Sequence, residues 1–324
     1  MGFGNYSHEA HQAITQARTG LAREQVFKQT SCHPLMNPLG VRARESRDGP
    51  AHPNSFGIVF ALDVTGSMGD IPDMLARREL PTFMNTVLAL GIADPQVLFM
   101  AVGDANSDNA PLQVGQFESA AREMDQWLTW SFLEGGGGGS GEESYELALY
   151  FAARHTEMDC WVKRKKRGYL LMTGDENPYP RVSKQQAIAL IGDTNADDIP
   201  IARIVRVVEE TFQPFFLVPD LARRSRCERV WRDLIGDHVI CMESASDTCH
   251  VAAGIVALGE GAVSDLDVLA KRMSASGVAK DRIGAVVRAL TPFAATLGRD
   301  ATAAPRVDPA SLPSSDGVSG MKRR

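Results

Sequence analysis

One stretch decides the fold: Gly57-Ile-Val-Phe-Ala-Leu-Asp63-Val-Thr65-Gly66-Ser67-Met-Gly69-Asp70. Its apolar run before Asp63 predicts a strand that is buried on both faces. A carboxylate ends the strand and two hydroxyls follow at alternate positions, so one loop can point Asp63, Thr65 and Ser67 at a single spot. Hard oxygen donors of this kind suit Mg²⁺ or Mn²⁺. One carboxylate and two neutral hydroxyls leave the ion short of charge and ligands, so other segments must complete such a site.

The motif Asp-x-Thr-x-Ser after a hydrophobic strand resembles the first motif of the von Willebrand factor A (vWA) domain. The metal-ion-dependent adhesion site (MIDAS) of that family usually reads Asp-x-Ser-x-Ser, and Thr65 keeps the hydroxyl of the first Ser. The resemblance implies a Thr from a third loop and an Asp from a fourth. Asp175 follows the predicted strand Tyr169 to Thr173 and matches the fourth loop, whereas no Thr matches the third. The alternative interpretation is that these residues only cap a helix.

An unusual glycine run precedes a helical pattern, in the segment Leu133 to Ser144. A phosphate-binding loop is excluded, because Glu142 and Glu143 stand where that motif needs Lys followed by Ser or Thr. The run resembles the third vWA loop in the Gly-Gly-Gly-x-x-x-Glu form of intracellular vWA domains, such as those linked to alpha-kinases. Aligning the helix puts Glu143 at the family's Thr position, and aligning the glycines puts Ser140 there. Both alignments stay open, and Glu would hold a cation more strongly.

Apolar strands that alternate with helical patterns predict an α/β domain with a mainly parallel central sheet, and the resemblance implies that this sheet is Rossmann-like and doubly wound. Together with the resemblance, this predicts a vWA fold with helical N- and C-terminal extensions. We expect four parts: a helical arm and extended connector over 1–54, the vWA domain over 55–262, C-terminal helices over 263–298 and a disordered tail over 299–324. Ligands of such sheets bind beyond the carboxyl ends of the strands. The four acidic residues expected to converge there are Asp63, Asp104, Glu143 and Asp175, with Asp104 behind the ligands.

Several helices and one basic run are predicted from periodicity and charge. We expect one arm helix over His8 to Gln29 and a first crossover helix over Ile71 to Leu90, bent at Pro81. A helix is also expected over Gln185 to Ile191. The basic run Lys163 to Arg167 is predicted to be a solvated loop that leads into the strand before Asp175, with a patch for an acidic partner or nucleic acid as the alternative.

Composition excludes some classes of function. The chain has 324 residues and a net charge of −6, which gives no general attraction to nucleic acid or anionic membranes. No apolar run approaches the ~20 residues that span a bilayer, and the N-terminus lacks the pattern of a signal peptide. The five cysteines are odd in number and lack Cys-x-x-Cys spacing, which favours reduced thiols. We therefore expect a cytoplasmic protein without a membrane partner, and nucleic acid is the less favoured partner, open only to a local basic patch; the bacterial type is what the vWA resemblance implies.

The resemblance implies a non-enzymatic module for protein–protein interaction. Mg²⁺ or Mn²⁺, held through Asp63, Thr65 and Ser67 with Asp175 behind, would accept a carboxylate from a protein partner. Intracellular members often work beside AAA+ ATPases of the MoxR type or in stress and defence gene clusters. One alternative is a metal-dependent hydrolase that uses the same acidic cluster, although the proposed metal loops contain no histidine to act as a base. Another is a structural assembly protein with a vestigial site.

Overall fold

A six-stranded sheet forms the centre of the protein. The structure is a computed structural model that describes residues 4–194 and 197–300. The strands of the central sheet are β1 (Phe56–Asp63), β2 (Pro95–Val102), β3 (Leu112–Val114), β4 (Gly168–Thr173), β5 (Phe212–Val218) and β6 (Val239–Cys241).

The order of the strands reverses between β1 and β4. Across the sheet the order is β6-β5-β4-β1-β2-β3, and all neighbours are parallel except β3, which is antiparallel to β2. The chain therefore winds outward from β1 in one direction and from β4 in the other, which confirms the predicted doubly wound fold. Ligands of such folds bind at the carboxyl ends of the strands where the order reverses. Asp63 ends β1 and Asp175 follows β4, so both lie at that point.

Helices cover both faces of the sheet. Every residue of β1, β2 and β4 is buried, with no alternation of exposed positions, as expected for strands packed between two helical layers. The α-helices are α1 (His8–Gln16), α2 (Arg23–Val26), α3 (Ile71–Met74), α4 (Leu80–Ala89), α5 (Ala121–Thr129), α6 (Tyr145–Arg154), α7 (Asp159–Arg164), α8 (Lys184–Gln186), α9 (Ile201–Thr211), α10 (Arg224–Ile235), α11 (Thr248–Gly259), α12 (Leu266–Ala275) and α13 (Lys280–Asp300).

The two layers hold different helices. In one layer α4 packs on α11, and α11 packs on α12 and α13. In the other layer α6 packs on α9, and α10 contacts α9 and β5. Short two-stranded pairings lie outside the central sheet: Arg44–Ser46 with Thr156–Met158, Glu142–Glu143 with Asn177–Pro178, and Arg181–Val182 with Ile199–Pro200.

Three of the predicted elements need correction. The single arm helix is wrong, because α1 ends at Gln16 and α2 is a separate turn; Gly20 between them has a φ of +82°. The first crossover helix is interrupted by a π-helical turn over Leu75–Glu79, between α3 and α4. The prediction over Gln185 to Ile191 is likewise part π-helix, over Ala187–Ile191. Inserted residues of this kind are invisible to a search for 3.6-residue periodicity.

The prediction of a solvated loop for the basic run Lys163 to Arg167 is also partly wrong. Lys163 and Arg164 belong to the last turn of α7 and both bond to Asp48, so they are not in a solvated loop. Lys166 pairs with Glu260 at 2.5 Å. The run precedes β4 and therefore lies at the amino end of the sheet.

Two further observations bear on the ends of the chain and on membranes. The predicted disordered tail over 299–324 lies outside the described residues except for its first two positions, which end α13. Within residues 4–194 and 197–300, no helix has the length and apolar character that crossing a membrane requires.

Candidate metal centre

The loop after β1 brings three oxygen-bearing side chains together. Asp63 is fully buried and accepts hydrogen bonds through Oδ1 from the backbone N–H of Thr65 at 2.9 Å and from its Oγ1 at 2.5 Å. Thr65 Oγ1 lies 3.2 Å from Ser67 Oγ. A short 3₁₀ turn over Gly66–Met68 follows and turns the chain away from the sheet. The alternation of Asp63, Thr65 and Ser67 therefore does place the three side chains on one side of the loop.

The loop after β4 meets this group. Ser67 Oγ donates a hydrogen bond to Asp175 Oδ1 at 2.6 Å, across 108 residues of sequence. Asp175 is entirely buried. A continuous chain of polar contacts, made of two hydrogen bonds and the 3.2 Å contact between the two hydroxyls, thus joins Asp63, Thr65, Ser67 and Asp175 at the point where the strand order reverses.

The geometry of this chain suits a cation of the size of Mg²⁺. Thr65 and Ser67 use their hydroxyl protons on the carboxylates of Asp63 and Asp175, so lone pairs on both hydroxyl oxygens remain free. Octahedral Mg²⁺ has ligands at about 2.1 Å, which places adjacent ligand oxygens about 3 Å apart. The 3.2 Å between Thr65 Oγ1 and Ser67 Oγ matches that spacing. The residues present therefore fit a divalent cation.

Glu143 lies on the third side of this group. It is 3% exposed, and its Oε2 is buried without a hydrogen-bond partner among the described residues. Its Oε1 and the Cβ of Thr65 lie 3.1 and 3.6 Å from the position where a Cβ on Gly137 would stand, which shows that both side chains border the same space. A buried carboxylate oxygen without a partner is costly. A bound cation would remove that cost.

The glycine run packs against the β1 loop. Gly66 N–H donates to Gly136 O at 2.6 Å, and Gly137 N–H donates to Asp108 Oδ1 at 2.8 Å. A Cβ on Gly136 would collide with the Asp108 carboxylate, and one on Gly66 would stand 2.9 Å from Gly135 O. The glycines are thus needed for close approach of the loop to the protein itself.

Ser140 and Asp104 make other contacts. Ser140 is exposed, and its Oγ lies 3.4 Å from Tyr179 OH. Asp104 is buried at the carboxyl end of β2 and accepts hydrogen bonds from Tyr179 OH at 2.9 Å and Ser107 Oγ at 2.9 Å. Neither Ser140 nor Asp104 forms a hydrogen bond with Asp63, Thr65, Ser67 or Asp175.

The crowding of buried acids raises their pKa values. Burial raises the pKa of Glu143 to about 9, and repulsion by Asp63 and Asp104 adds to the increase. Burial raises the pKa of Asp63 to about 7, although hydrogen bonds from Thr65 and Tyr145 oppose the change. A divalent cation would reverse both shifts, because it favours the ionised form of each neighbouring carboxylate.

Glu146 in the first turn of α6 is a second buried acid at this end of the sheet. It is entirely buried, and neither carboxylate oxygen has a hydrogen bond of normal geometry with the described residues. The N–H groups of Glu146 and Tyr179 lie near it, and burial raises its pKa well above the usual range. Burial therefore disfavours the ionised form of Glu146.

Tyr145 fixes the orientation of Asp63. Its hydroxyl donates to Asp63 Oδ2, while its buried ring packs edge-on against Phe216 at 5.3 Å and Trp231 at 5.6 Å. Any Cβ on Gly174 would collide with this hydroxyl, which explains the glycine before Asp175. The sequence pattern identified Tyr145 only as an apolar position of a helix, and nothing local indicates that its hydroxyl reaches β1.

Two arginines at the start of α10 also border the site. Asp175 Oδ2 accepts hydrogen bonds from Arg223 Nε at 3.0 Å and Arg226 Nη1 at 2.9 Å. Sequence reasoning missed both. Their position directly after β5, which neighbours β4, is the signal that could have placed them at this edge.

Carboxylates alone cannot form this site. In the part of the chain that the structure describes, no three His, Cys, Asp or Glu side chains group closely enough to hold a metal ion. Besides any carboxylate, a cation here must therefore depend on the hydroxyls of Thr65 and Ser67, on water and on a ligand from outside.

Comparisons with known proteins give weak similarities of fold. No protein-family model matches the sequence, and no curated protein matches it. Similar solved structures include a von Willebrand factor type A protein from Catenulispora acidiphila, 15% identical with a TM-score of 0.40 over 72% of this chain and 52% of that one. The vWF domain of the pilus tip protein Mfa5 from Porphyromonas gingivalis is 9% identical, with a TM-score of 0.41 over 63% and 96%.

A longer protein is also similar. The pilus adhesin SpaC from Lactobacillus rhamnosus GG is 10% identical with a TM-score of 0.43 over 70% of this chain, which spans 31% of the adhesin. The chain likewise spans 49% of a mussel byssus matrix protein, PTMP1. At these identities and TM-scores the similarities carry no argument about function, which depends on the site itself.

Proposed function

We propose that this protein is a metal-dependent protein-interaction module of the vWA type. Mg²⁺ or Mn²⁺ is held by the hydroxyls of Thr65 and Ser67, with Asp63, Glu143 and Asp175 supplying negative charge around it. The open position of the cation binds a carboxylate of a protein partner, because a divalent ion prefers an ionised oxygen ligand to neutral groups. Of the two candidates in the glycine-rich segment, we assign the ligand role to Glu143 and not to Ser140.

One observation carries this proposal. Three separate segments, after β1, after β4 and before α6, bring oxygen atoms to one buried space, and Glu143 Oε2 has no partner there among the described residues. A folded protein rarely retains a buried, unpaired carboxylate unless something binds it. The loops of the site contain no histidine that could serve as a base, which supports binding rather than hydrolysis.

Calorimetric titration with Mg²⁺ tests this function. We expect the wild-type protein to bind one ion and both Asp63→Asn and Ser67→Ala to weaken binding at least tenfold, because each removes charge or a ligand. Asp48→Asn is the matched control, since Asp48 lies at the opposite end of the sheet and bonds to Arg164 and Ser55. Equal affinities in the wild type, Asp63→Asn and Ser67→Ala would refute the proposed function.

A further inference from the structure

The two arginines beside the site differ in how many of their donors are used. Arg223 uses all three of its nitrogens: Nε on Asp175, Nη1 on Asp220, and Nη2 on Ser67 O at 3.1 Å. Arg226 makes one hydrogen bond among the described residues, from Nη1 to Asp175 Oδ2 at 2.9 Å. Its side chain is 53% exposed, compared with 25% for Arg223. Arg226 therefore has a free guanidinium edge at the rim of the site, and Arg223 does not.

The placement of Arg226 is unfavourable for a cation and favourable for an anion. A positive charge separated from Ser67 only by the Asp175 carboxylate repels a metal ion, so it cannot serve to strengthen metal binding. The same charge attracts an acidic group that approaches the metal from solvent. A cavity of about 480 Å³ opens beside it, lined by Leu221, Arg223 and Arg226 together with Ala222 and the acidic residues Asp220 and Glu243. Asp220 is already paired with Arg223 and Glu243 with Arg288, so Arg226 is the lining charge with donors left over.

We propose that Arg226 binds the second oxygen of the partner's carboxylate while the first oxygen occupies the open position on the cation. This inference rests on the proposed function and identifies the partner group as the side-chain carboxylate of an Asp or Glu on another protein. A guanidinium group donates charge-assisted hydrogen bonds to carboxylate oxygens in a fixed plane, and with Nη1 on Asp175 the remaining N–H groups of Arg226 can donate to that second oxygen. Asp175 holds the guanidinium in place, so little side-chain entropy is lost on binding.

The test uses Mn²⁺ as the metal and acetate as the carboxylate probe. Bound Mn²⁺ enhances the relaxation of water protons, and the enhancement falls as acetate displaces water from the ion. We expect Arg226→Gln to raise the acetate concentration for half displacement about tenfold, the size of one charge-assisted hydrogen bond. Arg226→Lys, which keeps the charge but not the planar group, should show an intermediate increase. Mn²⁺ affinity itself should stay the same or increase in both variants.

Arg224→Gln is the matched control. Arg224 lies on the same helix, is 54% exposed and pairs with Glu228, so we expect a change of less than twofold. If the wild type binds Mn²⁺ but both Arg226 variants respond to acetate as the wild type does, the inference is overturned and the proposed function stands. A wild type that binds Mn²⁺ but keeps its water in acetate also overturns the inference. If the wild type binds no Mn²⁺, both proposals fail.

Discussion

Acidic residues at the two ends of the central sheet lie in opposite environments. At the amino end Asp48 bonds to Arg164 at 2.9 and 3.0 Å and to Lys163 at 3.1 Å, and the Arg164 guanidinium holds its pKa well below the usual range. At the carboxyl end Glu143 is buried beside other acids, and its pKa is raised to about 9. Acids that are paired stabilise the fold, whereas acids that are buried without a partner cost free energy and indicate a site for a ligand.

Replacing Glu143 should have the largest effect, because it should weaken metal binding and at the same time stabilise the metal-free protein. We expect Glu143→Gln to weaken Mg²⁺ binding at least tenfold and to raise the free energy of unfolding of the metal-free protein by about 1 kcal/mol at pH 8. The folded pKa is raised, so the folded protein binds the extra proton and stability falls as pH rises from about 4.5 through about 9. The gain in the variant should therefore grow with pH over that window.

Calorimetric titration measures the affinity for Mg²⁺. Urea unfolding in the presence of a chelator, at pH 5, 7 and 9, measures the stability of the metal-free protein. If the Glu143→Gln variant is less stable than the wild type in the absence of metal, the Glu143 carboxylate stabilises the folded state. In that case the contrast between the two ends of the sheet would be lost.

Replacing Asp48 tests the other end. We expect Asp48→Asn to lower the free energy of unfolding by about 1 kcal/mol at pH 7, because it weakens charge-assisted hydrogen bonds to Arg164 and Lys163. The pKa is depressed in the folded state, so this stability is present above the unfolded pKa of about 4 and is lost as pH falls through the folded value. Urea unfolding should show a larger difference at pH 7 than at pH 3, where the loss has begun, and an equal difference at both would contradict the assignment.

Ser140→Ala should have the smallest effect. Its Oγ faces Tyr179 and the backbone of Glu142, so we expect Mg²⁺ affinity to change less than twofold. A tenfold loss in the same titration would move the ligand role from Glu143 to Ser140.

The sequence predicts the elements of the site better than its surroundings. The strand before Asp63 and the strand before Asp175 are continuous apolar runs, and parallel strands necessarily end at one edge, so their meeting follows from local patterns. The bonds from Tyr145 to Asp63 and from Arg226 to Asp175 join residues 82 and 51 positions apart. Such pairs depend on how helices pack over the sheet, which periodicity does not encode.

The interruptions of the helices escape prediction for a related reason. The arm helix ends before Gly20, where the backbone has positive φ, although the apolar spacing continues beyond it. The π-helical turn over Leu75–Glu79 inserts a residue without changing the composition of the segment. In both cases packing against the rest of the protein overrides the local pattern.

The most direct test of the account is a crystal structure with Mn²⁺ and its anomalous difference map. We expect a single strong peak in the space between the hydroxyls of Thr65 and Ser67, within ligand distance of Glu143. A map with no peak there, while the hydrogen bonds from Thr65 to Asp63 and from Ser67 to Asp175 remain in place, would contradict it.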